Sequence, residues 1–458
     1  MGADDKSFLN EKVSKLIFKF AVPAIFSLLV GEFYNIIAIV FAGRYIGTDA
    51  IGALTVEFPI QRFFIALGLL IAVGTSTYAA RVIGKKDVFQ LKKIIVNSFI
   101  LTVTFLILIS LIVFIFKNPI LYTLGASHNT YPLANKYVSI VLIGSVFQAL
   151  SALICYLMIS FNQTRIMLYT NLIGVSFNVL NSYIFIANMG MGIEGSAIAS
   201  VIAQIVSCMF AFFKFINTIK AINIQFSNQC ILKYLDMDIL NKIVVFGFST
   251  FIVEISDALV TGVLNNVLYS TGGDSAIIIV GIIEKISMFI YSAIIGISSG
   301  MQPIVAYNFG AGKYDRVKEI LKSSIKIVIV FSIVFWGIFM YFSQEIIGFF
   351  LKDKALLNET VSAFKISILI LPLLGIYYVT MYYYQAMGEA KKSFLLSIYR
   401  EIVVFIPLAL FLVKIFGMKG AVIAYPITDA VVILTSIYFM KKALEEDFTV
   451  VSTGARVS

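Results

Sequence analysis

Apolar residues in this chain come in long unbroken runs, not in alternation and not at every third or fourth position. Twelve runs can be read, at roughly 16–41, 51–79, 94–116, 137–159, 167–187, 195–217, 240–269, 276–306, 323–348, 362–387, 394–415 and 419–440. Each can supply the ~20 helical residues that cross a bilayer core about 30 Å thick. Breaks fall at Gly, Asn and charge clusters, such as Gly43–Asp49, Gly84–Asp87, Met189–Glu194, Gly272–Asp274, Gly310–Asp315 and Gly388–Lys392. Continuous apolarity predicts helices, because barrel strands would alternate.

Positive charge sets the orientation. Of the 35 Lys and Arg residues, 24 fall on the side that holds both chain ends and 8 on the other. Arg62, Lys285 and Arg400 remain inside predicted spans. Lys and Arg collect on the cytoplasmic side of membrane proteins. The expectation is a multi-pass protein of the cell membrane with both termini cytoplasmic and an even number of spans.

Composition agrees and removes other classes. The 458 residues are 60% hydrophobic and 13% charged, with mean hydropathy +0.96. Soluble domains are about 25% charged. Three cysteines (Cys155, Cys208 and Cys230) cannot build a disulfide framework, and the lone His128 leaves no zinc-ligand spacing. The net charge of +10 flanks apolar runs, so it fits a membrane surface and not nucleic acid. Residues 1–15 are polar and the first apolar run is long, so no cleavable signal peptide is expected.

The two halves resemble each other. Gly47-Thr48-Asp49 after the first span matches Gly272-Gly273-Asp274 after the seventh. Gly74 and Gly84 stand ten residues apart, as do Gly300 and Gly310, and Gly84-Lys85-Lys86-Asp87 matches Gly312-Lys313-Tyr314-Asp315. Six spans per half make the repeats parallel, and two such bundles around a central cavity is a transporter plan. The expected organisation is an N-terminal six-helix lobe at 1–217, a cytoplasmic linker at 218–239 and a C-terminal six-helix lobe at 240–458. Paired small residues such as Gly296 and Gly300 also serve close helix packing.

Ionisable groups at membrane depth are costly and read as functional until shown otherwise. Glu32 precedes Gly47 by fifteen residues and Asp257 precedes Gly272 by fifteen, so they are repeat-equivalent carboxylates. Glu254 lies three residues before Asp257, on the same helix face. Two carboxylates on one dry face hold a proton between them, which a cation can displace. The second and eighth spans add Glu57 with Arg62, which could pair structurally, and Glu284 beside Lys285, which could snorkel. Arg400-Glu401 and Asp429 read as helix-fixing charges. The candidate ion-coupling set is Asp257, Glu254, Glu32 and Glu284. Candidates for lining the substrate cavity are Asn35, Asn178, Asn181, Tyr291, Tyr382 and Gln385. Tyr377, Tyr378, Tyr382, Tyr383 and Tyr384 crowd the tenth span, where they could line a cavity for organic cations or form an interfacial belt.

Gln302-Pro303-Ile304-Val305-Ala306-Tyr307-Asn308-Phe309-Gly310-Ala311-Gly312 resembles the signature after the eighth span of the multidrug and toxic compound extrusion (MATE) family, prokaryotic branch. Gly74 to Gly84 with Arg81, Gln385-Ala386-Met387-Gly388, Arg400 with Pro407, and Gly417 to Gly420 with Pro426 and Asp429 support the resemblance, which runs from Pro23 to Asp429. It implies twelve helices in two six-helix lobes forming a V-shaped cavity, and export of organic cations driven by sodium or proton influx. The family's seventh-span acid matches Asp257 and its fifth-span Asp or Asn matches Asn181. Its first-span aspartate falls on Ala38, and no acid stands in 366–387 for the tenth-span position.

The reading is therefore an all-α integral membrane antiporter, and with no nucleophile elbow or phosphate-binding loop in the sequence no enzyme is expected. It would work as a monomer in lipid, take a drug-like cation as substrate, use Na+ or H+ as coupling ion, need no cofactor and bind no nucleic acid. A lipid-linked saccharide flippase would need a basic cavity, whereas intramembrane acids outnumber bases here. An ion channel would need a filter, and none is visible.

Overall fold

The computed structural model describes residues 5–222, 234–350 and 354–445. Within these, the side chains of 5–7, 32–40, 43, 48, 257, 258, 261, 262, 265, 266, 269–275, 277, 278, 349, 350, 354 and 355 are outside the description. The first half holds α1 (Asp5–Asn10), α2 (Val13–Tyr45), α3 (Thr48–Gly84), α4 (Val88–Ile115), α5 (Lys117–Thr123), α6 (Thr130–Ser160), α7 (Arg165–Ser182) and α8 (Gly192–Ala221). The second holds α9 (Met237–Gly310), α10 (Tyr314–Tyr341), α11 (Ser343–Phe350), α12 (Lys354–Ser367), α13 (Leu371–Ala386), α14 (Ala390–Ile398), α15 (Ile406–Phe416) and α16 (Met418–Glu445). Two π-helical turns, Tyr183–Asn188 and Tyr399–Phe405, follow α7 and α14.

Among the described residues, eleven helices are long and apolar enough to cross a membrane. A twelfth span is broken: Leu356–Ser367 and Leu371–Ala386 meet at 48°. The run read as one span at 362–387 bends here because Pro372 opens α13, and a proline disfavours helical backbone at the residue before it. The break expected at Gly272–Asp274 is instead part of one helical run, α9, which carries the spans Met237–Ser256 and Ile279–Gly310. The outward faces are apolar. Leu108, Leu111 and Ile115 of α4, Phe213 of α8 and Leu434 of α16 are all more than half exposed. The buried residues of α4 are Leu91, Ile94, Ile95, Asn97, Ser98, Thr102, Leu106 and Val113. Water would penalise such a surface, whereas lipid does not. This is a multi-pass membrane protein.

The chain forms two compact units, Met1–Asn10 with Val22–Ile255, and Glu11–Ala21 with Ser256–Ser458. In the first, α3 packs on α4 and α6, α6 on α8, and α8 on α7. In the second, α10 packs on α13, and α13, α12 and α15 pack on α16. Glycines explain where the units divide. A Cβ on Gly247 of α9 would sit 1.7 Å from the Leu70 carbonyl oxygen, and one on Gly74 would sit 2.0 Å from that of Ile243, so α3 and α9 touch backbone to backbone. In the second unit a Cβ on Gly300 would meet Ala21 N of α2 at 3.0 Å. The repeat-equivalent glycines Gly74 and Gly300 thus each admit a helix from the opposite half of the sequence. Asn97 and Lys93 of α4 hold the entry to α9, with Asn97 Nδ2 donating to Tyr234 O at 2.7 Å and Asp236 N donating to Asn97 Oδ1 at 3.0 Å. Lys93 Nζ donates to Asp236 Oδ2 at 3.0 Å, and this bond holds the Asp236 carboxyl below its ordinary range.

Turn geometry fixes the register of the repeat. Lys86 (φ 59°) and Gly312 (φ 71°) take left-handed backbone, and so do Asn162 (φ 65°) and Gly388 (φ 74°), each pair 226 residues apart. The same closing bond recurs in all four turns, with Asp87 N on Val82 O, Lys313 N on Asn308 O, Gln163 N on Met158 O and Glu389 N on Tyr384 O. Gly84 to Asp87 therefore corresponds to Gly310 to Lys313. The Gly-Lys-x-Asp match read from sequence is two residues out of register: Asp87 caps α4 through Gln90 N at 2.9 Å, while Lys313 holds that place before α10. Asp315, the acid that the motif aligned with Asp87, lies inside the first turn of α10.

Candidate functional site

The intramembrane charges do not pair as their spacing along the chain indicates. Arg62 Nη1 lies 3.8 Å from Glu254 Oε2, and its guanidinium stacks 5.0 Å from the Phe58 ring centroid. It reaches α9 and not Glu57, five residues away on its own helix. Glu57 is 4% exposed, and no hydrogen bond or ion pair reaches it among the described residues. The nearest polar company is a cavity of about 10 Å³, lined by Glu57, Gln61, Ser145 and Gln148 within an apolar wall.

A polar seam runs on from that cavity inside the first unit. Ser145 Oγ donates to Leu142 O at 2.7 Å and stands 3.2 Å from Ser110 Oγ of α4. Gln148 Oε1 accepts from Gln204 Nε2 of α8 at 3.4 Å. Gly144 makes this approach possible, since a Cβ there would stand 2.0 Å from Gln204 Oε1. Asn178 Nδ2 donates to Ser200 Oγ at 3.2 Å and is buried. Half-buried Asn181 has an enclosed amide nitrogen that finds no acceptor among the described residues.

The second unit holds a separate charge cluster. Arg400 donates to Asp429 Oδ1 at 3.1 Å, to Tyr291 Oη at 3.3 Å and to the neighbouring Glu401. It thereby ties the Tyr399–Phe405 turn to α16 and α9. The other Asp429 oxygen is enclosed without a donor among the described residues. Glu284 Oε1 accepts from Tyr425 Oη at 3.1 Å, while Lys285 next to it is exposed. Tyr377, Tyr378, Tyr382, Tyr383, Tyr384 and Gln385 are all buried. Tyr377 Oη donates to Leu396 O at 3.3 Å and Tyr384 Oη to Phe439 O at 2.8 Å. Glu32, Asn35 and Asp257 lie in helices, but their side chains fall outside the described residues. No group of three or more His, Cys, Asp or Glu that could hold a metal occurs among the described residues.

A family model described as MatE matches residues 23–184 and 247–411, well over half of the chain. The chain belongs to the MatE family. The two matched stretches fall one in each half of the sequence repeat. Multidrug export protein MepA of Staphylococcus aureus (strain NCTC 8325 / PS 47) is 23% identical over 451 residues, covering 97% of this chain and 98% of that protein. The protein of the same name from Staphylococcus saprophyticus is 26% identical over 449 residues, with the same coverage. A crystal structure of MATE in complex with MaL6 superposes with a TM-score of 0.90 at 20% identity, covering 97% of this chain and 99% of that one. The MatE fold thus extends over the whole molecule.

Sequence reading passed over the seam in this MatE protein. Gln61, Gln148 and Gln204 are single amides inside long apolar runs, and such amides at membrane depth seek one another across helices. That was the available signal.

Proposed function

We propose that this protein is a secondary active multidrug exporter of the cell membrane, exchanging organic, mostly cationic compounds for Na+ or H+. Both termini face the cytoplasm and the protein acts as a monomer. The observation that carries the reading is the end-to-end likeness to the MepA multidrug export proteins, which leaves neither chain with a large unmatched segment. The membrane-embedded carboxylates supply the chemistry that ion exchange needs: a group in low dielectric that is stable only when a proton or cation neutralises it. Asp257, Glu254, Glu32 and Glu284 are the ion-coupling set of this proposal, and Asn35, Asn178, Asn181, Tyr291, Tyr382 and Gln385 contact the cargo. A cation that binds one conformation better than the other shifts the population, and cargo bound to the other conformation shifts it back.

The test uses purified protein in liposomes loaded with a fluorescent cationic dye, under sodium and pH gradients imposed separately. Gradient-driven dye movement is expected in the wild type, and its loss is expected in Asp257→Asn protein that still elutes as a folded species. Dye movement indifferent to both gradients would refute the exchange. Wild-type rates in Asp257→Asn would remove that residue from it.

A further inference from the structure

We propose that Glu57 of α3 is a proton-uptake site of the first unit, with the one-water cavity beside it as the proton's point of entry; this rests on the ion-exchange reading above. Glu57 stands nine residues into α3, about 14 Å along the helix from its start. Its side chain is 4% exposed and faces a cavity that Gln61, Ser145 and Gln148 complete. The volume of about 10 Å³ is that of a single water site.

Among the described residues, no charged group lines the cavity with Glu57. On α3 itself Asp49 is exposed near the helix start, Arg62 is engaged by Glu254, and Arg81 lies in the last turn. On α6, which carries the opposite wall, Lys136 pairs with Glu194 at 2.8 Å, and Tyr137 and Tyr156 are not cavity residues. On α4 the charged groups are Lys92 and Lys93 at the far end, the latter on Asp236. Lys117 of α5 donates to Ser139 Oγ at 2.7 Å. None of these groups lines the cavity. A carboxylate kept from water without a counter-charge is neutralised by whatever cation reaches it.

The surroundings select a proton over a metal ion. Gln148 already shares its amide oxygen with Gln204 Nε2, so that oxygen has one lone pair left to offer a cation. Ser145 has given its hydrogen to Leu142 O and neighbours another hydroxyl. One water and one carboxylate suffice for a proton, whereas a hard cation wants about six oxygens. Pro59, two residues on, lacks the N–H that would bond the Thr55 carbonyl, so α3 is loosened in the turn that carries the acid. That provides a place where the helix can alter the cavity between protonated and ionised states.

The experiment measures proton release when cationic dye is added to detergent-purified protein in weak buffer, with pH-driven dye efflux in liposomes alongside. Wild type, Glu57→Gln and Glu57→Asp are compared. The expected result is at least a tenfold loss of both signals in Glu57→Gln, with dye binding retained, and substantial recovery in Glu57→Asp. Undiminished proton release and efflux in Glu57→Gln overturn the proposal, as does dye-induced release of sodium in place of protons. Loss of both signals in Glu57→Asp as well, despite retained dye binding, also counts against a protonation role. If the wild type itself moves no dye under either gradient, the exchange reading fails. If only the Glu57 variants behave as wild type, the exchange reading stands and this site falls.

Discussion

Gly247→Ala probes the crossing of α3 and α9 that defines the first unit. The new Cβ would lie 1.7 Å from the Leu70 carbonyl oxygen and 2.7 Å from its carbon, where a normal contact is about 3.4 Å or more. Neither atom can rotate away, since both are helical backbone, so the helices must part by roughly 1.5 Å. Gly74, on the facing helix, shares the contact through Ile243 O. Overpacking of a well-filled site costs about 1–3 kcal/mol, occasionally more, and rigid backbone places this case at the upper end. Alanine returns up to ~1 kcal/mol of helix propensity, leaving a net loss of about 2 kcal/mol. For a unit of this size that corresponds to a fall of roughly 4–8 °C in melting temperature. The assay is thermal unfolding of detergent-solubilised protein followed by intrinsic fluorescence. Gly337→Ala is the control, because a Cβ there meets nothing within 4 Å and only the propensity gain remains. Gly247→Ala melting at or above the wild type would refute the backbone contact.

Two further perturbations report on the charge clusters. Arg400→Ala leaves Asp429 buried without its cation, and breaking such a pair costs about 3–5 kcal/mol; the check is thermal unfolding, with Arg400→Ala plus Asp429→Asn expected to recover part of the loss. Asp236→Asn removes the negative charge that faces Lys93 while keeping an acceptor oxygen; because the folded carboxyl lies below its ordinary range, the stabilisation is present above the unfolded pKa and is lost as pH falls through the folded one, so the melting curves of variant and wild type should differ near neutrality and converge in acid.

The amount legible in the sequence varied with the range of the interaction. Spans were readable because bilayer thickness imposes a length on every apolar run, and the repeat was readable from Gly74, Gly84, Gly300 and Gly310. The two-residue slip in Gly-Lys-x-Asp arose because glycine, lysine and aspartate serve any helix–turn–helix, while the left-handed positions that set the register are Lys86 and Gly312. Arg62 read as the natural partner of Glu57 at five residues' distance. Only the crossing of α3 and α9 brings Glu254 nearer, and no local pattern encodes that crossing. The bend before α13 carried a local signal in Pro372, yet apolarity continued across it and masked the break.

The central claim is that one protein exchanges an ion for a drug-like cargo, and linkage makes such exchange reciprocal. The most direct measurement is therefore the reverse reaction: liposomes with equal sodium and equal pH on both sides, a dye gradient across the membrane, and an internal reporter for each ion. The account predicts that the dye gradient alone drives Na+ or H+ against balance, in the direction opposite to the dye, and that Asp257→Asn abolishes this movement. Dye equilibrating with no displacement of either ion would contradict it.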